Sequence, residues 1–196
     1  MLGALACCLL VAACGGKDAP AASDTGGGGT STTAASTSTD PEPSSTAPDR
    51  GPLGSGEPVT ISFAGDASFE GLVGALQTDP EGLLGAIAPT LGAADVTVVN
   101  LETALGIAGG SPEAKTFAFR VPAEALVALK TAGVDAVTMA NNHGMDYGPD
   151  GLTESLRIEA DTGFPILGIG KDEDAAYEPW ITEVNGQRIG VIAAND

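Results

Sequence analysis

Apolar residues along the chain fall into three regimes. Leu2 to Ala13 is an almost unbroken apolar run, and from Gly15 to Glu57 no large hydrophobe appears until Leu53. From Val59 onward, β-rich runs alternate with helically spaced ones. Val59 to Ala64 predicts a strand stopping at Gly65-Asp66, Asp95 to Leu101 a second ending at Glu102, and Val134 to Ala140 a third running into Asn141-Asn142-His143. Between the first two, Leu83, Leu84, Ile87 and Leu91 have helical spacing over Pro80 to Leu91. Leu126 and Leu129, entered through Pro122 and closed by Gly133, predict a helix before the third strand. Asp150 is expected to cap another helix, through Leu152, Leu156 and Ile158 to about Ala160. Pro165 to Gly168 predicts a short fourth strand. Trp180 to Val184 and Arg188 to Ala193 flank Asn185-Gly186, a strong hairpin signal. This alternation predicts an α/β fold with parallel neighbouring strands.

The first two regimes set the domain plan. An apolar run of about a dozen residues is too short to span a bilayer, which takes roughly 20, but it has the length of a secretory leader core. It ends in Val11-Ala12-Ala13-Cys14, small residues before a cysteine, which resembles a bacterial lipobox with Cys14 as the lipidation site. No Lys or Arg precedes the run, a departure from the basic start of such leaders, and a plain secretory signal is the alternative. Residues 15–57 are dominated by Gly, Ser, Thr, Ala and Pro and read as a flexible tether. The plan is therefore a leader over 1–14, a tether over 15–57 and a domain over 58–196, on an extracytoplasmic protein anchored to the membrane through Cys14. The chain stops just after the apolar strand Ile189 to Ala194, so the domain is expected to be the N-terminal part of a longer one; a complete small α/β domain is the alternative.

Charge narrows the partners. The chain has 26 acidic and 8 basic residues, a formal net charge of −18. Nucleic acid is excluded as an expected partner, because a phosphate backbone is met by clustered Lys and Arg. All three cysteines, Cys7, Cys8 and Cys14, lie in the first 14 residues, so no disulfide framework or thiolate metal site is expected in the domain.

The chemistry is expected where strands end. In a parallel sheet the strand C-termini share one edge, and ligands bind there. Asp66, Glu102, Asn142 and His143 would converge on that edge, with Asn100, Asn141 and Asp146 in support. Carboxylates, an amide oxygen and an imidazole suit a hard or borderline divalent ion. His143 is the only histidine, and its place in a polar, glycine-bearing turn favours function over a structural hydrogen bond. Gly168-Ile169-Gly170 is read as a tight backbone turn near the site rather than a dinucleotide loop. Lys115 and Arg120, flanking Phe117 and Phe119, are placed on a solvated, half-buried strand; contact with an anionic substrate is the alternative.

Phe63-Ala64-Gly65-Asp66, Asn100-Leu101-Glu102-Thr103, Ala140-Asn141-Asn142-His143-Gly144-Met145-Asp146-Tyr147-Gly148 and Gly168-Ile169-Gly170, in this order and spacing, resemble the bacterial capsule synthesis protein CapA family, tied to poly-γ-glutamate capsule production. Phe119-Arg120-Val121-Pro122 and the following helix also fit. The resemblance covers about residues 59–194. It implies a calcineurin-like metallophosphatase sandwich, with β-sheets flanked by helices. It also implies Asp66 and Asn142 as metal ligands, Glu102 near a bridging carboxylate, and His143 as the group that orients or protonates the reacting centre. The implied cofactor is a divalent ion, with Mn, Fe or Zn fitting the donor types. Ser68 stands where some relatives carry a histidine, and one histidine with two or three carboxylates is too few for two ions about 3.5–4 Å apart. These residues by themselves are therefore expected to be catalytically incompetent. Two roles follow: a metal-dependent hydrolase of phosphoester-like or amide type acting on an envelope polymer when full length, or a non-catalytic partner of other proteins in a capsule synthesis or export complex, whose cleft binds anionic capsular polymer or metal only. A tethered domain whose polar turns are purely structural is the remaining alternative.

Overall fold

The computed structural model describes residues 54–195; the leader, Cys14 and most of the tether lie outside them. In chain order the elements begin with β1 (Ile61–Asp66), α1 (Val73–Thr78), α2 (Pro80–Leu83), α3 (Ala88–Leu91), β2 (Val96–Asn100), β3 (Ala104–Leu105), β4 (Arg120–Val121) and α4 (Glu124–Thr131). They continue with β5 (Ala136–Thr138), α5 (Gly148–Thr162), β6 (Ile166–Leu167), α6 (Glu173–Ala176), β7 (Trp180–Val184) and β8 (Gln187–Val191). The fold is mixed α/β. A four-stranded parallel sheet in the order β1-β2-β5-β6 carries the core, beside a small parallel pair β3-β4 and the antiparallel hairpin β7-β8.

Strand alternation divides the core between the two faces of the sheet. Val99, Leu101, Val137, Met139 and Ile166 pack with Leu126 and Leu129 of α4 and Ile158 of α5. Val96, Val98, Ala136 and Leu167 point the other way and meet Trp180, Val184, Ile189 and Val191 of the hairpin. Helices therefore cover one face and a hairpin the other. This explains why β2 is β-rich without strict apolar–polar alternation, since four of its five residues, Thr97 among them, are buried. Thr97, fully buried, is satisfied by donating its hydroxyl to the Leu91 carbonyl at 2.6 Å. Ile61 and Phe63 of the edge strand β1 stay exposed. Residues 55–58 lie along the hairpin turn: Asn185 Nδ2 donates to the Pro58 carbonyl at 3.0 Å, and Gln187 Nε2 to that of Glu57 at 2.8 Å.

Four expectations are corrected. The helix expected over Pro80 to Leu91 is two short ones. Gly85 weakens its middle and Pro89 has no N–H to continue the ladder, so the chain restarts at Ala88. The helix expected from Pro122 begins at Glu124, with Pro122 lending its carbonyl to Ala125 N. Asp150 is not a cap; α5 begins at Gly148, so Asp150 sits in the first turn, where its charge complements the helix dipole. The strand expected around Lys115 to Arg120 shrinks to Arg120–Val121, with the backbone N–H groups of Glu113 and Phe119 before it drawn to Asp146. The sequence reading did not anticipate α1, α6 or the β3-β4 pair. Asp172 caps α6 by accepting from Ala175 N at 2.9 Å.

The outer edge of the sheet generates a stability prediction. Ile166 N of β6 faces away from β5 and donates to Glu159 Oε1 at 3.3 Å. Partial burial pushes the Glu159 carboxyl above the usual glutamate range, only partly offset by that N–H. A carboxyl that holds its proton more tightly folded than unfolded loses stability as pH rises through that window. Glu159→Gln should therefore raise the urea midpoint at pH 7, and the gain should vanish below about pH 4. Urea titrations at both pH values test this; an equal midpoint at pH 7 refutes it.

Candidate functional site

The strand ends are stitched together by amide side chains. Between Ala64 and Asp66 the β1-β2 register slips by one residue, so Asp66 rather than Gly65 pairs with Asn100. A bulge of this kind re-aims the side chain after it. It turns Asp66 onto the face of Asn100, whose Nδ2 donates to Asp66 Oδ1 at 2.7 Å. On its other side Asn100 Oδ1 accepts from Thr138 Oγ1 at 3.1 Å and Asn141 Nδ2 at 3.0 Å. One side chain thus links β1, β2, β5 and the turn after β5.

Asn141 builds that turn. Its Oδ1 accepts from both His143 N and Gly144 N at 2.9 Å, and its Nδ2 also reaches the Leu101 carbonyl at 3.0 Å. A Cβ at Gly144 would lie 2.4 Å from the Met139 carbonyl oxygen, so only glycine fits. Gly168 has φ +82°, and a Cβ there would come within 2.3 Å of Ala140 Cβ. The Gly168-Ile169-Gly170 segment is a tight turn against the site, as the sequence reading expected.

His143 is buried with its ring against Phe119, centroids 4.5 Å apart. Its Nδ1 is 2.7 Å from Oδ2 of the fully buried Asp146. That oxygen also accepts from Phe119 N at 2.5 Å, and Oδ1 is paired with Lys115 Nζ. Nε2 is the nitrogen left over. Glu102 is half-buried, and its N–H donates to the Ala67 carbonyl at 3.1 Å, next to Asp66 in the chain. Asn142 is exposed, and its carbonyl accepts from Lys115 Nζ at 2.7 Å. All seven residues expected at the site therefore come from the ends of β1, β2 and β5. The network binds Asp66, Asn100, Asn141, His143 and Asp146 directly, while Glu102 and Asn142 are tied in through their backbones.

The two nearby cations are spent internally. Lys115 is held by Asp146 and Asn142. Arg120 donates Nε to the Gly106 carbonyl at 2.9 Å, pairs with Glu154 at 2.8 Å and stacks 4.1 Å over the Tyr147 ring. Burial alone would raise the Glu154 carboxyl, but the N–H groups of Gly109, Ile107 and Ala108, together with Arg120, hold it below the usual range. Sequence reasoning missed Phe119 and the true role of Lys115. Their signal was weak: two residues of a loop about 25 positions before the turn they hold.

The donors do not add up to the divalent centre that the resemblance implied. Asp66 keeps one oxygen beside the one that accepts from Asn100, and His143 keeps Nε2 with Nδ1 on Asp146, so each could give a single ligand and too few others join them. Among the described residues no three His, Cys, Asp or Glu side chains come together as a metal cage. The residues present do not fit a two-metal site. What the arrangement offers is an imidazole oriented by a buried carboxylate, in the turn after β5, while Asp66 and Glu102 follow the ends of β1 and β2 in the same parallel sheet.

The family model for the bacterial capsule synthesis protein PGA_cap matches residues 60–196. A probable polyglutamine synthesis accessory protein of Mycobacterium tuberculosis is 31% identical over 105 residues, which is 52% of this chain and 28% of the relative. An uncharacterized protein of Sinorhizobium fredii is 30% identical over 113 residues, 55% of this chain and 24% of the relative. The chain thus spans about a quarter of the length of these curated relatives.

Asp146 should be the most costly polar residue to lose. Removing one member of a buried ion pair costs about 3–5 kcal/mol, and Lys115, partly exposed, can recover some solvation. Asp146→Ala should lower unfolding free energy by about 3 kcal/mol in denaturant titration; a change under about 1 kcal/mol would show that the carboxylate is not a keystone.

Proposed function

Since the chain belongs to the bacterial capsule synthesis protein PGA_cap family, we propose that it serves capsular poly-glutamate synthesis at the cell envelope, with His143 as the working group of its polar rim. The family's capsule synthesis name supports the process, and the mycobacterial relative is named as an accessory in polyglutamine synthesis, the amide counterpart of poly-glutamate. The His143–Asp146 pair supports the chemistry. A histidine whose Nδ1 is taken by a buried carboxylate keeps one tautomer and one orientation, and presents Nε2 to exchange a proton with a bound group. In a phosphoester-like or amide hydrolysis, Nε2, which carries a lone pair when Nδ1–H faces Asp146, would take a proton from the attacking water and, as imidazolium, pass it to the departing oxygen or nitrogen. Asp66 and Glu102, set on the same rim, would orient a water or the polar part of the substrate. The parallel sheet, with helices on one face and a hairpin on the other, agrees with one half of a metallophosphatase-like sandwich. A divalent ion enters this reading only if ligands beyond the described residues complete its shell, and no step here depends on one.

In a second reading, consistent with the few ligands that meet among the described residues, the rim binds capsular polymer or another capsule synthesis protein without breaking a bond. The readings separate on turnover of a chromogenic phosphoester by the full-length protein, with and without Mn²⁺. Catalysis by His143 predicts that His143→Ala lowers the rate about 100-fold, and equal rates would remove His143 from the mechanism. No turnover by either protein, with retained binding of poly-γ-glutamate, is the result the second reading expects.

We also place the protein on the outer face of a membrane, held by lipid on Cys14, on the strength of the small residues preceding it. Cys14→Ser should move the protein from the membrane to the soluble fraction of its host. An unchanged distribution would end the lipoprotein reading.

A further inference from the structure

The segment from Gly106 to Phe119 contains no regular structure, and residues 111–117 are all exposed, yet it is fastened to the histidine turn at several points. Glu113 N donates to the Asp146 carbonyl at 2.8 Å. Lys115 Nζ donates to the Asn142 carbonyl at 2.7 Å and pairs with Asp146 Oδ1. Phe119 donates its N–H to Asp146 Oδ2 at 2.5 Å and lays its ring beside His143. The strap therefore reaches the carboxylate, the histidine ring and the residue preceding the histidine.

We propose that Lys115 is a positioning residue for His143: from the strap it fixes Asp146 and the Asn142 carbonyl, and so fixes which way the imidazole points. The two carboxylate oxygens of Asp146 have different partners. Oδ2 serves His143 Nδ1 and Phe119 N, both short. Oδ1 is buried and, among the described residues, has no conventional hydrogen-bond donor apart from its ion-pair contact with the Lys115 ammonium. Without that ammonium, a buried oxygen would be left unmet, and the carboxylate would rotate toward whatever donor it could share. The Oδ2–Nδ1 bond depends on that rotation staying fixed. The same ammonium pins the backbone between Asn141 and His143, so the ring is held from its carboxylate side and its chain side at once. A lysine recruited for an anionic ligand would keep its head group free; this one has two internal partners.

The functional value of this assignment rests on the reading of His143 as the working group, but its test does not. The chain has one histidine, so its ring signals need no assignment. In ¹⁵N-labelled 196-residue chain at one fixed alkaline pH, the unmodified protein should show the widely separated ring nitrogens of a single Nδ1–H tautomer. Its ring protons should be displaced by the neighbouring Phe119 ring. Lys115→Met should draw the two nitrogen signals together and remove most of that displacement while the rest of the spectrum stays folded. Lys115→Arg, which keeps a cationic donor, should restore both. Unchanged histidine signals in Lys115→Met would overturn the assignment. If that variant does not fold, the unmodified protein decides. The ammonium signal that Lys115→Arg deletes should exchange with water at least tenfold more slowly than those of Lys130 and Lys171. Equal exchange would overturn the assignment too. A chain that hydrolyses nothing can still give either result, so failure of the activity and failure of the positioning role are told apart.

Discussion

A carboxylate taken fully out of water must be met by donors, and Asp146 is met from two separate parts of the chain. His143 comes from its own turn, three residues back. Phe119 N and Lys115 come from the strap between β3 and β4. That one requirement bears on why the strap is not a strand: the backbone N–H of Phe119 goes to the Asp146 carboxylate, and that of Glu113 to the Asp146 carbonyl, so neither pairs in a ladder. It explains the buried histidine, since an imidazole with one nitrogen on a carboxylate can be enclosed without an orphaned polar atom on that side. The requirement also couples the loop to the rim, so that the position of the only histidine depends on a segment distant in sequence.

The parallel core was legible because its causes are local. Val96 to Val99 is a β-branched run, Asn185-Gly186 demands a turn with positive φ, and Gly163 and Gly133 close helices at their C-terminal ends with positive φ. The rim was legible for a topological reason: parallel strands deliver their C-termini to one edge whatever the side chains are. What could not be read were the features decided by tertiary partners. The bulge that turns Asp66 toward Asn100 had a local hint in Gly65, an isolated glycine at a strand end, but a hint of this kind does not give a direction. The Lys115 to Phe119 stretch has strand-like residues and lost that structure to Asp146. The failed helix over residues 80–91 was a local misreading: helical spacing of leucines outweighed Gly85 and Pro89 when the breakers deserved more weight.

The site residues fall into pairs in which one member is consumed by structure and its neighbour keeps a polar group that the network does not use. Asn100 is saturated by Asp66, Thr138 and Asn141, and leaves Asp66 one free oxygen. Asn141 spends its amide on Leu101, His143 and Gly144, and leaves Asn142 exposed. Asp146 spends both oxygens and leaves His143 one nitrogen. Two asparagines in a row are therefore not redundant. The first folds the turn, the second is displayed by it, and exchanging their roles would unmake the turn.

This division also fixes the electrostatics of the rim. The domain carries 6 basic against 20 acidic residues from 58 to 196, and the two cations nearest the histidine are each neutralised by an internal carboxylate, Asp146 or Glu154. Asp66 and Glu102 have no comparable cation within the network described. An anionic chain approaching this edge meets net repulsion, weakened by salt but strongest at close range. A poly-glutamate ligand would then have to approach through its neutral amide segments, or with a cation between its carboxylates and those of the rim. The positive charge such a ligand needs was used in positioning the histidine. An arrangement that spends its lysine on orientation trades substrate attraction for preorganisation, and preorganisation is what a proton-transfer site requires.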